Sequence, residues 1–128
     1  MVLRVRDLMP MFTVTNGIDG SLVDYQELWQ RKNLLLISLR QDDPTARAYV
    51  ESLIAKESDL RAYDTAFIVT TDVVRGIPSP GIVVADRWGE IYYVLEASSA
   101  SDLADPVTLI EWLRYVQSEC PECQGETR

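Results

Sequence analysis

Pro80-Gly81-Ile82-Val83-Val84-Ala85-Asp86 runs directly into Arg87-Trp88-Gly89-Glu90-Ile91. Residues 81–85 are apolar without interruption, as in a strand covered on both faces. Asp86-Arg87-Trp88-Gly89 supplies turn chemistry, so the chain reverses into a second strand over residues 90–95. On the other side, Gly76-Ile77-Pro78-Ser79-Pro80 is a cluster of breakers that isolates this hairpin from what precedes it.

Upstream of the breakers, Ala66-Phe67-Ile68-Val69-Thr70 and Leu34-Leu35-Leu36-Ile37-Ser38-Leu39 are further buried strands, the second of them the expected middle of a sheet. Between these two strands, residues 44–60 predict the main helix. Ala46, Val50, Leu53, Ile54 and Leu60 repeat at helical spacing there, while Arg47, Glu51 and Lys56 fall outside the stripe. At the N-terminal end, residues 11–15 are strand formers, Asn16-Gly17 and Asp19-Gly20 are turn signals, and residues 21–23 pair back as a hairpin. A short helix over 24–31 follows, with Asp24 as N-cap and Leu28 facing inward. The last helix spans 106–119, with Asp105 as N-cap, Pro106 at its first position, and Leu109, Ile110, Leu113 and Val116 on one face. Strands interleaved with helices and closed by an antiparallel hairpin predict an α/β fold: a mixed central sheet flanked by helices, with an N-terminal β-hairpin.

A chain of 128 residues with 47% hydrophobic and 25% charged residues has the composition of one globular domain. It carries no repeat and no linker, so residues 1–119 are expected to form the domain and residues 120–128 a tail. With a net charge of −8, nucleic acid and an anionic membrane surface are expected to be repelled. No stretch has signal-peptide or membrane-span character, and a soluble cytoplasmic protein with reduced cysteines is expected. The absence of histidine removes imidazole bases, Cys-His and Ser-His-Asp arrangements, and zinc sites that use imidazole.

The order of elements, with Pro80 six residues before the Asp86 turn, resembles the thioredoxin fold. Met9-Pro10-Met11-Phe12, the Asp19-Gly20 turn and Asp24-Tyr25 are similar to the opening of its redoxin and alkyl hydroperoxide reductase branch, the peroxiredoxin-like one. The resemblance implies that Pro80 is cis and faces the active-site groove. It also implies an active site where the central strand enters the main helix, held in the family by a Cys-x-x-Cys or a single peroxidatic Cys. The matching text here is Asp42-Asp43-Pro44-Thr45-Ala46-Arg47, in which Asp43 and Ala46 stand at the cysteine positions. Neither can supply a thiolate, so redox chemistry is not expected there. The family's arginine six residues before the hairpin Asp is also missing, Pro80 taking its place.

A helix start offers unsatisfied N–H groups and a positive dipole end, and Asp43 is expected to cap it, with Pro44 at the first helical position as in Asp105-Pro106. Ser79 and Pro80 have two readings: backbone offered to an extended substrate, as in the redox relatives, or a stiffened turn. The Asp42-Asp43 pair lacks further acidic or imidazole ligands and makes a poor metal site. Trp29, Trp88 and Trp112, with Tyr25, Tyr49, Tyr92, Tyr93 and Tyr115, are scattered over different elements and are expected in core and rim.

Cys120-Pro121-Glu122-Cys123 is the only thiol pair. Its spacing suits a redox disulfide, half a zinc site or a pair of cluster ligands, and it equally suits a helix stop with incidental cysteines. Its position after a helix, beside Glu119, Glu122 and Glu126, disfavours the thiolate. The functional expectation is a degenerate redoxin-like domain serving as a non-catalytic binding or scaffold module. It would act through the groove of Asp43, Thr45, Ala46, Ser79 and Pro80, toward a protein partner or a second copy, with no cofactor. The alternative is a thiol-disulfide oxidoreductase or peroxiredoxin-like enzyme with Cys120 and Cys123 as its catalytic pair. A metal-bridged dimer stands third.

Overall fold

The structure, a computed structural model, describes residues 2–119. Its centre is a four-stranded sheet in the order β4-β3-β5-β6, built from β3 (Asn33–Ser38), β4 (Thr65–Thr70), β5 (Gly81–Ala85) and β6 (Ile91–Glu96). β3 runs parallel to β4 and antiparallel to β5, which is antiparallel to β6. The mixed sheet is the one expected. A separate antiparallel hairpin joins β1 (Thr13–Thr15) to β2 (Leu22–Asp24).

Side chains alternate along a strand, and β3 shows the consequence. Leu35 and Ile37 pack with Phe67, Val69, Ile82 and Val84 against one layer of helices. That layer comprises α2 (Ala46–Ile54), α3 (Glu57–Leu60) and α4 (Pro106–Glu119), which contribute Tyr49, Leu53, Leu60, Leu109, Leu113 and Val116. On the opposite face, Leu34 and Leu36 meet Ile68, Val83, Ala85 and Ile91 under a cover of Met9, Val14, Val74, Ile77 and Tyr25. Tyr25 belongs to α1 (Tyr25–Leu28).

Two helices are shorter than their periodicity predicts. The main helix, expected to run unbroken over 44–60, is divided: the Lys56 N–H bonds the Leu53 carbonyl, a tightened i→i−3 turn, and Lys56 leaves helical geometry at φ −119. Ile54 is left 44% exposed although it lies in the apolar stripe, while Leu60 is buried. No glycine or proline marks this break; the packing of α3 against α4 selects it. α1 has Asp24 as its N-cap, accepting from the Gln26 N–H at 3.1 Å, but stops at Leu28. Docking on the Asp86 turn ends it there, through Gln30 N–H to the Arg87 carbonyl (2.6 Å) and Trp29 Nε1 to the Trp88 carbonyl (3.0 Å).

The Asp86 turn is held by the Asp86 carboxylate, which accepts from the Trp88 and Glu90 N–H groups, each at 2.9 Å. Gly89 sits at φ +83, a conformation that favours glycine. The Ser79–Pro80 peptide bond is cis, as the resemblance implied.

Candidate functional site

β3 delivers the chain to the start of α2 through Leu39, which is buried, and a turn over residues 40–43. Asp43 stands at its end, half-buried. One carboxylate oxygen, Oδ1, accepts from the Thr45 N–H at 2.8 Å and the Thr45 hydroxyl at 2.6 Å. The other, Oδ2, accepts from the Ala100 N–H at 2.7 Å. Thr45 Oγ1 in turn accepts from the Ser101 N–H at 3.1 Å. The Thr45 hydroxyl first, then the Ala100 and Thr45 N–H groups, stabilise the ionised form and hold Asp43 below the usual carboxylate range. Arg40, just upstream, turns away onto Asp42, with both contacts at 3.2 Å.

This corrects the expected cap. The cap position of α2 is Thr45, and its first helical residue is Ala46 rather than Pro44. Asp43 instead closes its own turn and ties it to the 3-10 turn Ala100–Asp102, because its second oxygen finds a backbone donor from that segment. Asp105 does cap its helix: its carboxylate accepts from the Thr108 N–H at 2.9 Å and its carbonyl from the Leu109 N–H at 3.2 Å. The same Asp-Pro pair thus does two different jobs, decided by what lies opposite.

A cavity of about 180 Å³ opens beside Asp43, walled by Arg40, Asp42, Pro44, Ser98 and Ser99 as well. A second, of about 360 Å³, shares Arg40 and includes Leu39, Gln41, Ala46, Arg47 and Val50. Pro80 is buried and Ser79 exposed, and neither lines these two cavities. Pro80 is linked to Asp43 indirectly: its carbonyl accepts from the Ala97 N–H at 3.1 Å, and three residues later Ala100 donates to Asp43. Asp43, Thr45 and Ala46 are therefore neighbours at the start of α2, while Pro80 meets residues 97–101 only through Ala97 and Ser79 lines neither cavity.

The contribution of Ser98, Ser99, Ala100 and Ser101 escaped the sequence reading. The run of small polar residues after β6 marks a loop, but its role rests on backbone N–H groups, which every residue type shares. Cys120 and Cys123 lie outside the described residues. Among the described residues no group of three or more His, Cys, Asp or Glu side chains is placed to hold a metal ion, and no helix is long and apolar enough to cross a membrane.

No protein-family profile and no curated protein sequence matches the chain. Solved structures do. The reduced 2-Cys peroxiredoxin of Plasmodium vivax superposes with a TM-score of 0.71 at 12% identity, over 90% of this chain and 97% of that one. AhpC of Mycobacterium tuberculosis gives 0.71 at 11% identity, covering 95% of this chain and 98% of that one. The yeast mitochondrial 1-Cys peroxiredoxin gives 0.68 at 11% identity, covering 97% and 80%. The fold is thioredoxin-like, in the form that peroxiredoxins carry.

Proposed function

We propose that this protein is a non-catalytic binding or scaffold module built on a peroxiredoxin-like fold, using the surface around the start of α2 to engage a protein partner or a second copy of itself. The observation that carries the reading is the state of Asp43. Its carboxylate, standing where the resemblance implies a thiol, is engaged by three donors on two segments. A group held in this way braces the surface instead of reacting at it. Asp43 and Ala46 leave this position without a nucleophilic sulfur, and peroxide attack and disulfide exchange both need a thiolate. The two cavities that meet at Arg40 supply the recognition surface, with apolar Leu39, Ala46 and Val50 beside charged Arg40 and Arg47.

Three assays test the reading on the full chain: consumption of hydrogen peroxide, reduction of insulin, and a count of reactive thiols. In the first two, no turnover above the uncatalysed rate is expected, in the native protein and in Cys120→Ser/Cys123→Ser alike, whatever thiols the count finds in the native protein. Turnover that disappears in the double variant would overturn the reading in favour of an oxidoreductase acting through the C-terminal pair.

A further inference from the structure

On the side of the sheet that carries α4, four aromatic side chains converge, two from β6 and two from α4. The cause is a bulge. Ala85 lies opposite Ile91 and Val84 opposite Tyr93, so Tyr92 is an extra residue in β6. An extra residue interrupts the alternation of faces and re-aims side chains. Tyr92 and Tyr93, consecutive in the chain, both pack on the side that carries α4. Tyr93 stacks on Trp112 with ring centroids 4.8 Å apart. Trp112 and Tyr115 stand edge to face at 5.8 Å and 86°, and Tyr92 and Tyr115 at 6.1 Å and 70°.

Beside these contacts lies a hollow of about 290 Å³, lined by Tyr92, Trp112 and Tyr115 together with Glu90, Glu119 and Arg6. Aromatic faces are the negative part of the ring quadrupole and attract cations. Two carboxylates reinforce that field, in a chain whose net charge is already −8. The phenol of Tyr92 responds to the same environment: burial, then the charges of Asp86, Glu90 and Glu119, push its pKa up. One cation is already present, since Arg6 contacts Glu90 at 3.1 Å. Its side chain is 83% exposed, and exposed pairs of this kind contribute little, so a better-fitting cation can displace it.

We propose that this hollow is a binding site for an organic ammonium ion, specifically a quaternary or N-methylated head group. A primary ammonium gives up strong hydrogen bonds to water on entering an aromatic enclosure, whereas a methylated one is weakly hydrated and presents C–H groups that the ring faces can surround. The two glutamates then supply countercharge without requiring a directed hydrogen bond. This site is separate from the Asp43 surface, and neither reading depends on the other.

The test is an NMR titration of the full chain, following the three tryptophan indole N–H signals, with choline as probe and its neutral isostere 3,3-dimethylbutan-1-ol as comparison. Choline is expected to shift the Trp112 signal saturably and to leave Trp29 and Trp88 in place, with the isostere binding at least about tenfold more weakly. Tyr115→Leu, at a position 48% exposed and so tolerant of change, is expected to weaken choline about fivefold or more. Arg6→Ala, which frees Glu90, is expected to tighten it about two- to threefold, and Glu119→Gln to weaken it by a similar factor. A trimethyl-lysine tripeptide run in parallel distinguishes the sources of such a head group, a free solute or a modified side chain, by which binds more tightly. Equal affinity for choline and its isostere, no saturable shift, or a shift that survives Tyr115→Leu unchanged would overturn the proposal and leave the cluster as packing between β6 and α4.

Discussion

Replacing Gly81 by alanine adds a methyl group where there is no room for one. Gly81 opens β5, is buried, and pairs with Ser38 on one side and Glu96 on the other. A Cβ on its backbone would overlap the Pro78 carbonyl oxygen and lie 2.7 Å from Pro78 Cγ and 2.9 Å from the Pro78 carbonyl carbon. Carbon atoms rest about 3.5–4.0 Å apart, so the turn over 78–80 would have to retreat by roughly 1 Å. Pro78 is itself buried, and the Ala97 N–H holds the Pro80 carbonyl at 3.1 Å. Overpacking costs about 1–3 kcal/mol and loss of that hydrogen bond about 1 kcal/mol more, so about 3 kcal/mol is expected in total. An unfolding entropy of about 2.1 cal/mol/K per residue gives a chain of this length about 0.27 kcal/mol/K, and Tm should fall by about 11 °C. Thermal unfolding followed by circular dichroism measures the shift. The control is Gly20→Ala, at φ +76 with nothing within 4 Å of the added Cβ, where only backbone strain applies and about 1 kcal/mol is expected. A Gly81→Ala variant that melts within about 3 °C of the parent would refute the reasoning, because the 78–80 turn would then be soft.

Three further outcomes follow from the same contacts. Asp43 has a folded pKa below its unfolded value, so its stabilisation is complete above about pH 4 and is lost as pH falls through the folded pKa; urea midpoints between pH 7 and pH 3 should fall more steeply for the parent than for Asp43→Asn. Asp86 is shifted the other way, upward, by burial, against the Glu90 and Trp88 N–H bonds that lower it. Its contribution is therefore greatest below the unfolded pKa and is lost as pH rises through the folded one. Asp86→Asn keeps the oxygen that accepts from Trp88 and Glu90, and should be at least as stable as the parent at pH 7 by urea denaturation; a loss beyond about 1 kcal/mol would show that the charge itself holds the turn. Asp43→Cys/Ala46→Cys places a thiol against the donors that now serve Asp43. Its alkylation rate should rise with pH earlier than that of the native Cys120 and Cys123, and an introduced thiol that titrates no lower than Cys120 would show that those donors do not serve position 43 in solution.

The strands and their succession along the chain were legible in the amino-acid sequence, because their signals are local and strong. Residues 81–85 and 34–39 are apolar enough to read as covered on both faces, and Asp86-Arg87-Trp88-Gly89 carries its own turn chemistry. Asp24 and Asp105 were legible as helix caps for the same reason: a cap bonds to N–H groups two or three residues away. Features that depend on partners distant in sequence, the strand order β4-β3-β5-β6 among them, came only with the folded chain. The division of the main helix at Lys56 follows from packing against α4, with no breaker in the text to announce it. The second oxygen of Asp43 bonds Ala100, and backbone donors carry no sequence signature. Trp112 and Tyr115, three residues apart on α4, are neighbours by helical spacing, but the bulge that turns Tyr92 and Tyr93 to one face arises in pairing with β5, so the two adjacent tyrosines join them only once the strand register is set.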